Sequence, residues 1–165
     1  IRAPFLIRWP GRILAGQVSN EIIHIMDLFT TIASIAGAPV PTDRPIDGVD
    51  QTAFLTGKEP KSKREGLLVY IDGDLHAAKW RNWKLHYWWQ LEPQSGKDTL
   101  GAIKLEVPYL FNLLSDPHED TDVRTVNAWE VVPINRMIAA FQSSLKKYPP
   151  ITPGTPDPYV PPAGN

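Results

Sequence analysis

Residues 75–90 read Leu-His-Ala-Ala-Lys-Trp-Arg-Asn-Trp-Lys-Leu-His-Tyr-Trp-Trp-Gln. In the second half of this stretch, Trp83, Leu85 and Tyr87 alternate with Lys84 and His86. A period of two is typical of a strand with unequal faces. The polar pair at 81–82 separates this strand from another apolar segment, 75–80, so the pattern predicts a tight antiparallel hairpin.

Two more strands are predicted around this hairpin. The run at 67–71 is apolar and rich in β-formers, and a further strand is predicted at 109–113, ended by Asp116-Pro117. Residues 94–99 form a polar, glycine-containing stretch that predicts a loop. Together these segments predict a small antiparallel sheet.

A helix and a proline-rich tail follow the predicted sheet. Apolar residues recur at helical spacing from Ile134 to Tyr148, opposite polar ones, and Pro133 fits the first turn. We expect this helix to cover one face of the sheet. Residues 149–165 carry seven prolines, which predicts neither helix nor paired strand.

The first sixty residues have a different character. Phe5-Leu6-Ile7 predicts a short buried strand, stopped by Trp9-Pro10-Gly11. Between Ser19 and Gly37 the apolar pattern predicts a helix buried on most of its circumference. Two start points remain open for this helix. Ser19 or Asn20 would cap a longer helix, and Asp27 would cap a shorter one.

A change of composition divides the chain into units. The basic stretch 57–65 is predicted to be a solvated connector, because no aromatic residues are interleaved with it. We therefore predict units at 1–60 and 66–148, followed by the tail 149–165.

Composition excludes several functions. With 17 basic and 18 acidic residues the net charge is −1, which offers no broad field to nucleic acid or an anionic membrane. No apolar run is long enough to span a bilayer. The sequence has no cysteine, which excludes disulfides, thiolate metal sites and a cysteine nucleophile within these 165 residues.

Five segments resemble type I sulfatases, the arylsulfatase-like members of the alkaline-phosphatase superfamily. Residues 2–13 resemble the family's G-x-R-x-P-x-I-x-x-W-P-G-x-I stretch, and 27–37 its D-L-x-P-T-L-x-x-L-A-G helix, with Thr30 in place of the proline. Residues 46–57 are similar to the D-G-x-D/S…L-L-x-G loop. Residues 77–85 resemble the A-V-R-x-G-x-W/Y-K-L hairpin, and 110–119 the E-L-Y-D-L-x-x-D-P-x-E segment.

The resemblance implies an α/β fold: the C-terminal end of a sulfatase-type α/β domain plus a small antiparallel sheet covered by one helix. It implies sulfate-ester hydrolysis, of aryl or carbohydrate sulfates, through a formylglycine nucleophile and a calcium ion. The catalytic residues are expected upstream of Ile1, so this C-terminal fragment is expected to bind no cofactor and to be inactive without its missing N-terminal portion. Family resemblance favours a periplasmic or secreted location.

Few residues within the chain are candidates for a site. His76 and Asp74 are candidates for the substrate pocket, because they lie beside a predicted turn in a subdomain that the family places against the active-site cleft. The alternatives to a substrate-binding role are that His76 is a structural histidine and that Asp-Gly-Asp only forms a turn. The four histidines lack metal-ligand spacing, so no metal site is predicted.

A second function class stays open at this stage. The tryptophans at 80, 83, 88 and 89 are candidates for a sugar-stacking platform, although aromatic strands more often pack into a core. On that basis the alternative is a non-catalytic carbohydrate-binding or interaction module.

Overall fold

The computed structural model describes residues 3–90, 101–152 and 154–156. Its centre is a four-stranded antiparallel sheet in the order β1-β2-β3-β4. The strands are β1 (Gly66–Ile71), β2 (Asp74–Trp80), β3 (Trp83–Gln90) and β4 (Ala102–Asn112). The antiparallel sheet predicted from the alternation is therefore confirmed. The loop predicted at 94–99 lies outside the described residues.

Both hairpin turns use left-handed backbone. Asp72 and Gly73 have φ of 51° and 87°, which is the conformation required at both central positions of a two-residue type I′ turn. Arg81 has φ of 51° in the second turn, between Trp80 and its register partner Trp83. The hairpin at residues 75–90 is confirmed, and Asp-Gly-Asp is a turn as its composition indicates.

The fourth strand is longer than the prediction of 109–113. It begins at Ala102 and contains Pro108. A proline inside a strand is tolerated at a sheet edge, because the missing N–H leaves no ladder partner unsatisfied there. β4 is an edge strand, and Pro108 lies in the stretch where its register with β3 shifts, between the pairs His86–Tyr109 and Trp88–Lys104, so no ladder partner needs its missing N–H.

Helix α3 (Val131–Lys147) follows a short 3-10 turn (Ala128–Glu130) and covers one face of the sheet. Ile134 and Ile138 from α3 pack on Ala78, Leu85 and Leu110, which are all buried. Pro133 lies in the first turn of α3, and Lys146 and Lys147 lie in its last turn. The predicted helix and the face that it covers are confirmed.

The segment at residues 5–7 does not form the predicted buried strand. Leu6 is 95% exposed, and Phe5 and Ile7 are also exposed. A strand needs a neighbour to complete its backbone hydrogen bonds. No described strand lies beside this segment, so the prediction is wrong for the chain as it stands.

Helix α1 (Asp27–Ala36) adopts the shorter of the two predicted forms. It ends at Gly37, whose φ of 67° gives the left-handed stop that the glycine predicts. The predicted burial is wrong, because the helix buries Asp27, Thr30 and Thr31 and leaves Phe29, Ile32 and Ile35 exposed. Asp27 also does not cap the helix. Its carboxylate instead accepts backbone N–H groups from His24 and Val49.

A buried ion pair joins the first sixty residues to the sheet. Arg64 donates to both carboxylate oxygens of Asp27, with Nη2 to Oδ1 at 2.5 Å and Nε to Oδ2 at 2.8 Å. The side chains of Arg64 and Asp27 are only 10% and 1% exposed. Ser62 is also buried and donates to the carbonyl of Ile22. The stretch 57–65 is therefore not a fully solvated connector, because residues 62–64 pack against the preceding unit.

The loop that carries Asp47 approaches α1 through a glycine. A Cβ at Gly48 would lie 2.3 Å from the carbonyl oxygen of Met26. Only a residue without a side chain lets the backbone come this close. A second short helix, α2 (Thr52–Leu55), follows, and residues 149–152 and 154–156 form neither helix nor strand, as the prolines predict.

Candidate functional site

The face of the sheet opposite α3 forms one wall of an open cleft of about 830 Å³. Strands β1, β2 and β3 supply this wall, and the loop after β4 reaches over it at Pro117, His118 and Glu119. A cleft of this size, mainly apolar and with a few polar groups, is typical of a small-molecule site. We call it the outer-face cleft.

A cluster of three charged or titratable side chains fixes one end of the outer-face cleft. Lys84 Nζ lies 2.6 Å from Glu119 Oε1, and His86 Nε2 lies 2.5 Å from Glu119 Oε2. Lys84 and His86 point to the same side of β3 because they are two residues apart. Glu119 reaches them from a left-handed backbone position, with φ of 63°.

The environment of Glu119 strongly favours its carboxylate form. Burial opposes ionisation, but the hydrogen bonds from His86 and Lys84 and their charges outweigh it. The pKa of Glu119 is lowered from 4.5 to about 2. This carboxylate is therefore an anchor for the loop rather than a proton donor at neutral pH.

Replacing Glu119 by Gln should remove an acid-sensitive part of the stability. Because the folded-state pKa is below the unfolded one, the contribution is fully present above pH 4.5 and is lost as the pH falls towards about 2. Its size is on the order of 3 kcal/mol at neutral pH. Urea unfolding of wild type and Glu119→Gln across this range should show curves that converge on acidification.

The exposed Glu106 provides the matched control. We expect Glu106→Gln to follow the wild-type pH curve. Parallel curves for wild type and Glu119→Gln between pH 7 and pH 2 would contradict the assignment.

His76 and Asp74, the two residues predicted for a substrate pocket, both line the outer-face cleft. The His76 ring stacks on Trp88, with ring centroids 4.8 Å apart and an interplanar angle of 8°. Neither ring nitrogen of His76 has a hydrogen-bond partner among the described residues. The stacking therefore orients an imidazole whose two nitrogens are available to a ligand.

The tryptophans do not form a free stacking platform. Trp80 and Trp83 pack against the core under α3. Trp88 is flanked by residues from both neighbouring strands, His76 and Lys104, whose Nζ lies 6.0 Å from the ring centroid. Trp89 packs on Phe111 at 5.6 Å and meets His86 and Tyr109 edge-on. This geometry favours aromatic packing over sugar stacking.

The described residues do not fit a calcium site. Within the described ranges, no three His, Asp or Glu side chains come close enough to hold a metal ion. The sequence also contains neither the C-x-P-S-R motif nor its serine version S-x-P-S-R, from which the family makes formylglycine. No step involving either group is derived from these residues.

Sequence reasoning did not find the Lys84–His86–Glu119 cluster. The sequence pattern places Lys84 and His86 on the polar face of β3 and Glu119 in the family-like segment 110–119, and it does not connect the three residues. Glu119 lies 33 residues from His86 and 35 residues from Lys84 in the sequence, and no local pattern indicates contacts over such a separation.

The sequence and the fold of the chain match one protein family. Residues 62–164 match the family model described as the C-terminal region of aryl-sulfatase. This match covers more than half of the chain, so the chain belongs to the sulfatase family.

Curated relatives are also sulfatases. The chain is 36% identical to human arylsulfatase D over 136 residues, which covers 72% of the chain and 23% of the relative. It is 46% identical to human steryl-sulfatase over 80 residues, 48% of the chain and 14% of the relative. The chain therefore spans about a quarter or less of the length of these relatives.

A solved structure shows the same fold. The PsFucS1 sulfatase from Pseudoalteromonas sp. superimposes with a TM-score of 0.76 at 29% identity, over 86% of this chain and 29% of that one. The α/β class, with a small antiparallel sheet and a helix, is confirmed by this likeness. Among the described residues, no helix is long and apolar enough to cross a membrane.

Proposed function

We propose that this chain is the C-terminal part of an enzyme that hydrolyses sulfate esters of aryl or carbohydrate compounds. The observation that carries this proposal is the family match over residues 62–164, supported by the structural likeness to a sulfatase over most of the chain. The relatives are much longer than the matched region, so the catalytic centre is assigned to a preceding portion of the polypeptide.

The exposed apolar surface of the first unit supports a preceding portion. Phe29, Ile32 and Ile35 of α1 are 53%, 61% and 40% exposed, and Leu6 is almost fully exposed. An apolar surface of this kind on a soluble domain marks a contact with another protein surface. In this proposal residues 1–60 complete the larger α/β domain, 66–148 form the C-terminal subdomain and 149–165 are a tail.

The chemistry is then divided between the two portions. The preceding portion supplies a formylglycine nucleophile and a calcium ion, a hard cation that withdraws charge from sulfate oxygens. This chain supplies a wall of the substrate cleft. His76 is oriented for a hydrogen bond to a substrate oxygen, and Asp74 lies beside it at the start of β2.

The division predicts that activity requires both portions. We expect the purified 165-residue chain to give no turnover of 4-methylumbelliferyl sulfate, because the nucleophile and metal ligands lie elsewhere. The full-length polypeptide should hydrolyse it, lose activity in a calcium chelator and regain it when calcium is restored. Release of fluorescent product is the measurement.

Two results would contradict the proposal. One is calcium-sensitive turnover by the isolated chain. The other is a full-length protein that binds a glycan but hydrolyses no aryl or carbohydrate sulfate, which would favour the non-catalytic module.

A further inference from the structure

The lysines that line the outer-face cleft are already engaged within the protein. Lys84 and His86 both contact the carboxylate of Glu119. Lys79, the other lysine on the cleft wall, directs its Nζ to the carbonyl oxygen of Arg81 at 2.5 Å. Both lysines that line the described part of the cleft, Lys79 and Lys84, therefore already have a protein partner.

Two carboxylates on the same wall are not engaged. Asp72 and Asp74 flank Gly73 at the turn between β1 and β2, and both line the cleft. Among the described residues neither side chain has a hydrogen bond or an ion pair. His76, with its two free ring nitrogens, follows two residues after Asp74.

Asp72 and Asp74 therefore make the part of the wall beside the His76 imidazole negatively charged. Like charges a few ångströms apart repel. A carboxylate or a second sulfate on the substrate would meet Asp72 and Asp74, while the two lysines of the cleft lining are held by Glu119 and by the Arg81 carbonyl. A hydroxyl group, in contrast, can donate a hydrogen bond to a carboxylate or accept one from imidazole.

We infer that the part of the substrate that enters the outer-face cleft is uncharged, so that the enzyme prefers sulfate esters of neutral phenols or hydroxyl-bearing sugars over polyanionic chains. This inference rests on the proposed function, because it places the cleft beside the reacting sulfate. Asp72 and Asp74 are the residues that determine the preference, by repelling a second negative charge.

The test uses the full-length enzyme and two matched fluorogenic esters. One is 4-methylumbelliferyl sulfate, and the other is the analogue that carries an acetic acid group in place of the 4-methyl group. We expect kcat/KM to be at least tenfold higher for the neutral ester. In the double variant Asp72→Asn, Asp74→Asn this ratio should fall to threefold or less. Asn tolerates the left-handed backbone of position 72, so the turn should be retained.

Two controls separate the possible failures. Glu59→Gln removes one negative charge from an exposed site outside the cleft lining and should leave the ratio unchanged. The single variant Asp74→Asn, with an intermediate ratio expected, replaces the double variant if the latter fails to fold. A wild-type ratio near one, or a large ratio unaffected by either variant, overturns the inference. Absence of turnover with both esters and with sugar sulfates instead overturns the proposed function.

Discussion

Asp27→Asn is expected to lower the free energy of unfolding of the chain by about 3–5 kcal/mol, the cost of breaking a buried ion pair by removing one partner. Asp27 is fully buried and accepts hydrogen bonds from Arg64, Val49 and His24. Burial alone would raise its pKa, but the hydrogen bond from Arg64, the two backbone N–H groups and the Arg64 charge together lower it. Without the carboxylate charge, Arg64 is left nearly buried and uncompensated.

Urea unfolding followed by far-ultraviolet circular dichroism, at low protein concentration, measures this effect. Asp43→Asn is the matched control, because Asp43 forms an ion pair with Arg44 at 2.7 Å in which both side chains are more than 60% exposed. Water screens such a pair, so we expect no measurable change in the midpoint. Equal losses for the two variants would show that burial does not determine the strength of the Asp27–Arg64 pair.

A second variant tests the same pair from the other side. Asp27→Asn combined with Arg64→Met removes the uncompensated charge as well as its partner. The double variant should therefore be more stable than the sum of the two single losses predicts. Strict additivity would indicate that the two side chains act independently.

Ile134→Ala is expected to cost about 2–5 kcal/mol, because it opens a cavity where α3 meets the sheet. Ile134 is fully buried and belongs to the core cluster with Ala78, Leu85 and Leu110. These neighbours lie on three paired strands, β2, β3 and β4, whose backbone ladders resist collapse into the space. Urea unfolding is again the measurement, with an unchanged m-value expected.

Val132→Ala gives the matched control for the helix. Val132 lies on α3 only two residues away but is 49% exposed, so its truncation removes little buried surface. Helix propensity rises from Val to Ala, which adds a small gain. A loss at position 132 as large as that at 134 would contradict the assigned helix face.

The sheet and its covering helix were predictable because their signals are local. Alternation along residues 83–90 and helical spacing from Ile134 reflect which side of an element is buried, and neighbouring side chains carry that information. The candidate residues His76 and Asp74 were predicted from the turn beside them. Both residues line the outer-face cleft, and their role in substrate binding stays a proposal.

The burial predictions that proved wrong share a different cause. Phe5-Leu6-Ile7 and α1 carry the apolar patterns of buried elements, yet most of their large apolar side chains are exposed. A hydrophobic pattern reports that a surface needs a partner, and it does not report which segment supplies one.

By itself, the sequence determined strands β1 to β3, the turns at Asp72-Gly73 and Arg81-Asn82, the amphipathic helix and the family to which the chain belongs. These depend on backbone preferences and periodicities within a few residues. Only the tertiary structure decided that Arg64 is a buried partner of Asp27 and that the carboxylate of Glu119 contacts both Lys84 and His86. Those partners are 33 to 37 residues apart, and their electrostatics exist only once folding has brought them together and removed the water between them.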